Sequence, residues 1–238
     1  MDIKLDTFDP ICEYKARLIS EGQRLATDIL PAKFVEVDKM YREIKNLKVS
    51  KTNSERKEEL NIGTVLINRF GNSSTRSNSS LRLQASEIVE NVIGSNQVLL
   101  EVIEKLKPYI DDLVNSSCDI KMWITLLIPK IQDGNNFGVS VQEAVMEEAS
   151  CIELKAKSLR ESGTDYFFYR ARMISKIIKY PEINDYKMAV IEFDSDELQN
   201  QINLCRFMRN AYVKLHDLVT KNLDKIQNPR SDHGNELY

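Results

Sequence analysis

Apolar residues recur along most of this chain at alternating intervals of four and three positions, the spacing of a coiled-coil-like amphipathic helix. The clearest run begins after Gly94-Ser95, which offers a helix cap, and stops at Pro129. Its nine repeat positions, of which all but Ser117 are apolar, are Leu99, Ile103, Leu106, Ile110, Leu113, Ser117, Ile120, Ile124 and Leu127. Pro108 lies inside the run, and we expect a kink there because its ring clashes with the carbonyl four residues earlier.

A shorter run of the same kind predicts a first helix over about residues 9–46. Asp9 is suited to cap this helix, and Pro10 suits the first helical position, where a missing N–H costs nothing. The repeat positions that follow are Leu30, Phe34, Val37, Tyr41 and Ile44. Pro31 removes one backbone donor from this helix and predicts a bend.

Two further helices complete the pattern. The third is predicted to open at a capping box, Ser140-x-x-Glu143, and to stop at Pro181. Its repeat positions are Val145, Ala149, Ile152, Ala156, Leu159, Gly163, Tyr166, Arg170, Met173, Ile177 and Tyr180. The fourth helix is predicted over about residues 185–228.

The fourth helix carries two adjacent apolar stripes and ends before Pro229. The stripes are Leu198, Ile202, Cys205, Tyr212, Val219, Leu223 and Ile226, and beside them Leu204, Met208, Ala211, Leu215 and Leu218. A face of this width is buried on two sides, either in an antiparallel bundle or against a neighbouring subunit. We therefore predict an all-α fold, an elongated four-helix bundle, and expect oligomerisation to explain the extra apolar width.

Composition agrees with long helices, since only 8 Gly and 6 Pro occur in 238 residues. Residues 46–94 differ in composition from the rest of the chain: a charged stretch is followed by GNSSTRSNSS at 71–80. Such a composition is typical of a linker. We predict a single domain over 1–238, with a flexible insert at about 47–94 and a C-terminal tail at 229–238.

The charge balance excludes several classes of function. Thirty-three Lys and Arg against 36 Asp and Glu give a net charge of -3, so no basic field is available for nucleic acid. The N-terminus lacks the features of a signal peptide and no apolar run reaches the ~18 residues of a membrane helix, so we expect an intracellular protein. Cys12, Cys118, Cys151 and Cys205 form no C-x-x-C pair and are expected to be buried free thiols.

The sequence carries no recognisable catalytic or metal-binding motif. His216 and His233 are the only histidines, and neither has the Glu three positions earlier that a di-iron bundle needs. Gly-rich phosphate-loop motifs are absent as well. His216 is interpreted as a helix-surface or interface group, and the acidic runs at 147–148 and 194–197 as solvated faces. We expect no cofactor, no metal and no enzymatic activity.

The segment between the second and third helices concentrates chain-breaking residues. Three of the chain's Gly and Pro residues lie within 129–138, which includes the run GNNFG at 134–138. The two glycines permit positive φ and the two asparagines tolerate it, so this loop can hold a sharply curved shape. The residues leave two interpretations open: a plain connector with Phe137 packed onto the bundle end, or a binding loop.

One long run resembles a known family. KMWITLLIPKIQDGNNFGVSVQE, at 121–143, is similar to the helix-loop-helix centre of the ATP-independent proteasome activators, the REG family or 11S regulators, and most of all to their gamma type. Further matches are KIIKYPEINDY at 176–186, RNAYVKLHDLVTKNLDKIQNPR at 209–230, ILPAKFVEVD at 29–38 and the final Leu237-Tyr238. The resemblance covers about 95–238 well and the first helix more loosely.

The resemblance implies a regulator of an enzyme that is not an enzyme itself. Members of the family form heptameric rings around a channel and stack on the α-subunit end rings of the proteasome core particle, which then admits substrate peptides and proteins. Their loop between the second and third helices presses on the closed gate. The matching residues here are Lys130, Asp133, Gly134, Asn135, Asn136, Phe137 and Gly138. By the same resemblance, Leu237 and Tyr238 would dock the tail on the core particle.

This sequence departs from the family pattern at several positions. Lys130 stands where the family commonly has Arg, and Gln132 where it commonly has Glu, which alters any ion pair that those residues make. The insert lacks the compact basic cluster associated with nuclear import in gamma-type members. A nuclear location, with the cytoplasm as a further one, is therefore implied by kinship alone.

Arg172, Lys176 and Lys179 share one face of the third helix. If this face lines the channel, a basic ring would steer acidic peptides, and a solvated surface is the alternative interpretation. Two alternatives to activation also stay open. One is a helical-bundle scaffold or adaptor without gating, and the other is a metallo-oxidase bundle, for which the sequence lacks the ligands.

Overall fold

The computed structural model describes residues 10–47 and 95–230, and every regular element in those residues is a helix. In chain order these elements are α1 Pro10–Arg24, a π-helical turn Leu25–Ile29, α2 over 30–47, α3 Gln97–Leu127, α4 Phe137–Lys179, α5 Asn184–Lys221 and α6 Leu223–Gln227. The predicted all-α class is confirmed for these residues. The predicted insert, apart from residue 47, lies outside the described residues, as do Leu237 and Tyr238.

The chain forms two compact helical units. The described residues of the first unit are 10–38, 109–158 and 207–230, and those of the second are 39–47, 95–108 and 159–206. α3 passes from the second unit to the first at Pro108 and stays helical through this residue. The kink at Pro108 and the single-domain organisation stay predictions.

The predicted stripes supply the core of the first unit. Residues exposed by at most 4% come from α2, α3, α4 and α5: Leu30, Val37, Leu113, Ile120, Ile124, Val145, Ala149, Met208, Ala211, Tyr212 and Leu215. Burying each large side chain among them stabilises the fold by about 1.5–3 kcal/mol. Ten of the twelve stripe residues of the fourth helix are buried inside one chain, and Leu218 and Leu223 are half-buried. Burial within one chain thus accounts for most of the apolar width, and oligomerisation stays a prediction.

A polar network in the second unit centres on Asp194 of α5. Its carboxylate accepts hydrogen bonds from the Tyr166 hydroxyl at 2.8 Å, from Arg170 Nε at 2.9 Å and from Asn96 Nδ2 at 3.2 Å. Tyr166 is buried and stacks on Phe193. Burial, followed by the nearby Asp194 charge, raises the pKa of Tyr166 above its usual range. The network fixes α4, α5 and the start of α3 at one place.

The start of α3 differs from the prediction by one residue. Asn96 Oδ1 accepts the backbone N–H of Leu99 at 3.2 Å, and the Asn96 carbonyl accepts that of Leu100 at 2.9 Å. Asn96 is therefore the N-cap, and the cap predicted at Gly94-Ser95 is wrong. An Asn oxygen bonds the exposed N–H groups of a first turn as well as a Ser hydroxyl does.

The fourth helix is interrupted, against the prediction of one continuous helix over 185–228. Asn222 separates α5 from α6 with φ -113 and ψ 13, outside helical values. Its side-chain Nδ2 donates to the Leu218 carbonyl at 2.8 Å. An Asn amide offers the backbone a local alternative to the helical hydrogen bond, which is why the helix breaks at this residue.

The cysteines match their prediction only in part. All four are free thiols, but only Cys205 is buried, while Cys118 is half-buried and Cys12 and Cys151 are exposed. Burial raises the pKa of Cys205 to about 12. Within 10–47 and 95–230, no helix has the length and apolarity needed to cross a membrane, and no three His, Cys, Asp or Glu side chains converge as metal ligands.

Candidate functional site

The loop between α3 and α4, residues 128–136, is exposed along most of its length in the first unit. Of the seven loop residues singled out from the sequence, Gly138 is buried and the other six are exposed: Lys130, Asp133, Gly134, Asn135, Asn136 and Phe137. Phe137 is 64% exposed, so the interpretation in which it packs back onto the bundle end is wrong.

Gly134 sets the curvature of the loop. Its φ of 128° falls in the left-handed region, and no atom lies within 4 Å of where a side chain would begin. Glycine is therefore needed here for its backbone conformation and not for lack of space. Among the described residues no other type has positive φ, so Asn135 and Asn136 are not used for the left-handed conformation that they were expected to tolerate.

The two asparagines instead begin α4. Asn135 Oδ1 accepts the backbone N–H of Phe137 at 3.0 Å, and the Asn136 carbonyl accepts that of Ser140 at 3.0 Å. The Ser140 hydroxyl donates to the Phe137 carbonyl at 2.7 Å, as in a helix interior. The predicted capping box at Ser140 is therefore wrong, because the side chain of Asn135, five residues earlier, caps the helix.

The loop presents large apolar side chains to solvent. Ile131 is fully exposed, and Ile128 and Phe137 are exposed on either side of it. Single exposed apolar residues are common on protein surfaces, so exposure by itself assigns Ile131 no partner. Ile131 was not among the site residues predicted from the sequence.

Arg230, just beyond α6, joins three parts of this loop. Its Nη1 donates to the Lys130 carbonyl at 2.8 Å and to Gln132 Oε1 at 2.9 Å, while its Nη2 donates to Asn136 Oδ1 at 3.1 Å. The planar guanidinium holds its donors in a fixed fork, so bonds to several acceptors restrict the loop in more than one direction. The acceptors lie near the beginning, the middle and the end of the loop.

The backbone before Arg230 packs directly on the first turn of α4. A Cβ atom on Gly138 would lie 2.0 Å from the Pro229 carbonyl oxygen and 2.5 Å from the Pro229 Cα. Only glycine allows this approach, because the obstructing atoms belong to the backbone and cannot rotate away. Gly138 is thus required for lack of space, unlike Gly134.

Gln142 ties two helix ends together beneath the loop. Its Nε2 donates to the Ile226 carbonyl at 2.7 Å and to the Leu127 carbonyl at 3.2 Å. Carbonyls in the last turn of a helix have no partner within that helix, so one buried amide satisfies the ends of both α3 and α6. The loop leaves the bundle at one of these ends, and the C-terminal segment leaves at the other.

The predicted basic face lies in the second unit. Arg172, Lys176 and Lys179 are all exposed on α4. The Arg172 guanidinium lies 5.7 Å from the Phe168 ring centre, and the Lys179 amine lies 5.2 Å from that of Tyr180. These contacts agree with an exposed basic surface, and the function of the face stays a prediction.

Gln142 and Arg230 were missed as site residues. Gln142 did leave a signal, because it lies three positions before Val145 on the apolar stripe of α4, where a polar residue must find buried partners. Arg230 left none, since its partners are 94 to 100 positions away in the sequence.

The family of the chain follows from comparison with known proteins. Residues 92–236, more than half of the chain, match the family model of the proteasome activator PA28, C-terminal. The chain belongs to the PA28 family of proteasome activators. The resemblance noted from the loop, the helices beside it and the C-terminus is confirmed.

Individual relatives of this PA28-family chain agree. Proteasome activator complex subunit 3 of Homo sapiens is 34% identical over 248 residues, covering 99% of this chain and 95% of the human one, and the Gallus gallus protein gives the same figures. The 11S subunit of the Plasmodium falciparum proteasome, PA28, has a TM-score of 0.67 at 24% identity, covering 97% of this chain and 100% of that one. A chain of an archaebacterial 20S proteasome–PA26 complex has a TM-score of 0.58 at 17% identity, covering 94% and 99%. Both structures share the fold.

Proposed function

We propose that this chain is an ATP-independent activator of the proteasome core particle. Copies of it assemble into a ring, expected to be a heptamer, and the ring docks on the α-subunit end ring through tails that end in Leu237 and Tyr238. The loop at 128–136 then opens the gate, so that substrate peptides and proteins enter. The activator itself cleaves nothing.

The shape of the loop is the observation that supports this proposal best. A loop can displace a gate only if it keeps its own conformation. This loop is exposed, and its conformation is held by the Asn135 cap and by the Arg230 guanidinium. Ile131 and Phe137 present apolar surface on it. A plain connector would not need so many constraints.

The energetics require several copies and two gate states. One tail binds weakly, but a ring presents several tails at once, and the effective concentration of the later ones multiplies the affinity. Docking alone does not open the gate, because a ligand that binds open and closed states equally shifts nothing. The loop must therefore contact the open gate better than the closed gate.

The test is cleavage of a fluorogenic peptide by purified core particles, without ATP. The wild-type protein should have a native mass near seven times the 27.5 kDa of one chain and should stimulate cleavage. Asn135→Tyr should keep that mass and lose stimulation, since it removes the cap and adds bulk to the loop. Deletion of Leu237 and Tyr238 should abolish docking, while Asn203→Tyr, an exposed change on α5, should behave as wild type.

Two results would contradict the proposal. Full stimulation by both the loop variant and the tail deletion would remove the roles assigned to these segments. A ring of the expected mass that binds no core particle and stimulates no cleavage would favour the scaffold or adaptor without gating.

A further inference from the structure

We propose that Arg230 is a positioning residue that sets the loop at 128–136 in its gate-contacting shape and couples it to the C-terminal segment. This inference rests on the proposed function, and it adds a role to a residue outside both the loop and the docking residues. Its basis is the set of contacts that join the end of α6 to the two ends of the loop.

The C-terminal segment is fixed at three positions, two against the start of α4 and one against the loop. The Ile226 carbonyl is held by Gln142 Nε2 at 2.7 Å, the Pro229 backbone lies against Gly138, and Arg230 follows at once. Proline has a fixed φ, so the direction in which the chain presents Arg230 is restricted as well. The backbone that carries the guanidinium is therefore held in place against the start of α4.

The acceptors of Arg230 show what the contact controls. They are a main-chain carbonyl and two side-chain amide oxygens, belonging to Lys130, Gln132 and Asn136. All three acceptors are uncharged, so their attraction for the guanidinium falls off steeply with distance and misalignment. The contact therefore selects one loop shape, whereas a diffuse charge attraction would tolerate many.

Without this contact, the loop should sample other shapes between Pro129 and the Asn135 cap. A protein that acts through one conformation loses activity in proportion to the fraction of molecules that leave it. The docking residues at the C-terminus are unchanged by a substitution at Arg230. We therefore expect maximal stimulation to fall while the activator concentration that gives half of it stays the same.

The experiment titrates core particles with wild type, Arg230→Ala, Arg230→Lys and Arg206→Ala. Arg206 is an exposed arginine of α5 that contacts Asn203, so its removal matches the change in charge. Arg230→Ala should lower maximal stimulation by about fivefold or more, because it removes all three hydrogen bonds to the loop, at an unchanged half-maximal concentration. Arg230→Lys should recover less than half of the loss, because one ammonium cannot satisfy all three acceptors.

Hydrogen exchange of the free activator gives a second readout that does not depend on the proteasome. Loop amides at 130–137 should exchange faster in Arg230→Ala than in wild type, while amides of α3 and α5 should not change. Unaltered loop exchange, full rescue by lysine or an equal loss in Arg206→Ala would each overturn the inference. If wild type itself fails to stimulate, the proposed function has failed, and the exchange experiment still decides whether Arg230 shapes the loop.

Discussion

The imidazole Nδ1 of His216 lies 2.8 Å from the carbonyl oxygen of Ala26, in the π-helical turn that precedes Pro31. In an α-helix the Leu30 N–H would donate to the Ala26 carbonyl, but here it donates to the Leu25 carbonyl. The next residue in the chain is Pro31, which has no N–H to offer. A histidine from α5 therefore supplies the donor that this first helix lacks, with the proton on Nδ1.

Replacing His216 with Ala should lower the free energy of unfolding by about 1–3 kcal/mol, because the buried Ala26 carbonyl loses its donor. His216→Asn should lose less, since the Asn amide nitrogen sits close to where Nδ1 was. Urea unfolding measures both. In a Pro31→Ala background, whose new N–H can serve the same turn, the His216→Ala loss should shrink, and equal losses in the two backgrounds would contradict this account.

Two glycines within helices should respond differently to alanine. At Gly22 of α1, a Cβ would lie 2.1 Å from the ring of the buried Trp123, so Gly22→Ala should destabilise by about 1–3 kcal/mol through overpacking. At Gly163 of α4, the nearest atom is 3.3 Å away, and the better helix propensity of Ala should offset that contact. Circular dichroism follows the loss of helix during unfolding in both variants. Equal losses would show that space at Gly22 is not the cause.

Glu153 makes stability depend on pH below neutrality. The carboxylate is 7% exposed and bonded to Lys121 of α3 and Lys157 of α4. These hydrogen bonds, Lys121 first, lower the pKa of Glu153 from 4.5 to about 2. Because the pKa is lower in the folded state, ionised Glu153 contributes its full stabilisation of the fold above the unfolded pKa of 4.5. This contribution is lost as the pH falls toward 2.

Glu153→Gln should therefore cost about 2 kcal/mol at pH 7, and the difference from wild type should shrink between pH 4.5 and 2. Denaturant unfolding at a series of pH values measures this. Glu148→Gln is the control, because Glu148 pairs with the exposed Lys214 at 2.5 Å, and such pairs contribute at most about 1 kcal/mol. A difference that does not change with pH would contradict the assignment.

Charge reversal at Lys176 tests the basic face of α4. If Arg172, Lys176 and Lys179 line the channel, Lys176→Glu should slow cleavage of acidic peptides relative to basic ones by core particle plus activator. Arg206→Glu reverses a charge on another exposed helix surface and should leave the preference unchanged. An unaltered preference in Lys176→Glu would leave the solvated surface as the explanation.

The helices were predictable because their apolar spacing is local information. Leu106, Leu113 and Ile120 are buried as their period requires, and the position of the loop follows from the Gly and Pro residues between two such runs. Helix ends were predicted less well, because several neighbouring residues can serve as a cap, and Asn96 and Asn135 cap where Ser95 and Ser140 were expected.

Contacts between distant segments could not be predicted from spacing. Arg230 was one basic residue among 33, and only the fold brings it to Lys130 and Asn136. The same holds for Pro229, which was recognised as a helix stop but not as the reason for Gly138. Sequence spacing placed the loop, whereas the C-terminal backbone and one guanidinium determine its shape.

Asp194 holds Asn96 by a side-chain hydrogen bond at 3.2 Å, so α5 fixes the place where α3 begins. The same carboxylate accepts from Tyr166 and Arg170 of α4, so one side chain aligns three helices. Removing one partner of such a network is strongly destabilising. A substitution at this single carboxylate is therefore a route to a temperature-sensitive variant of the protein.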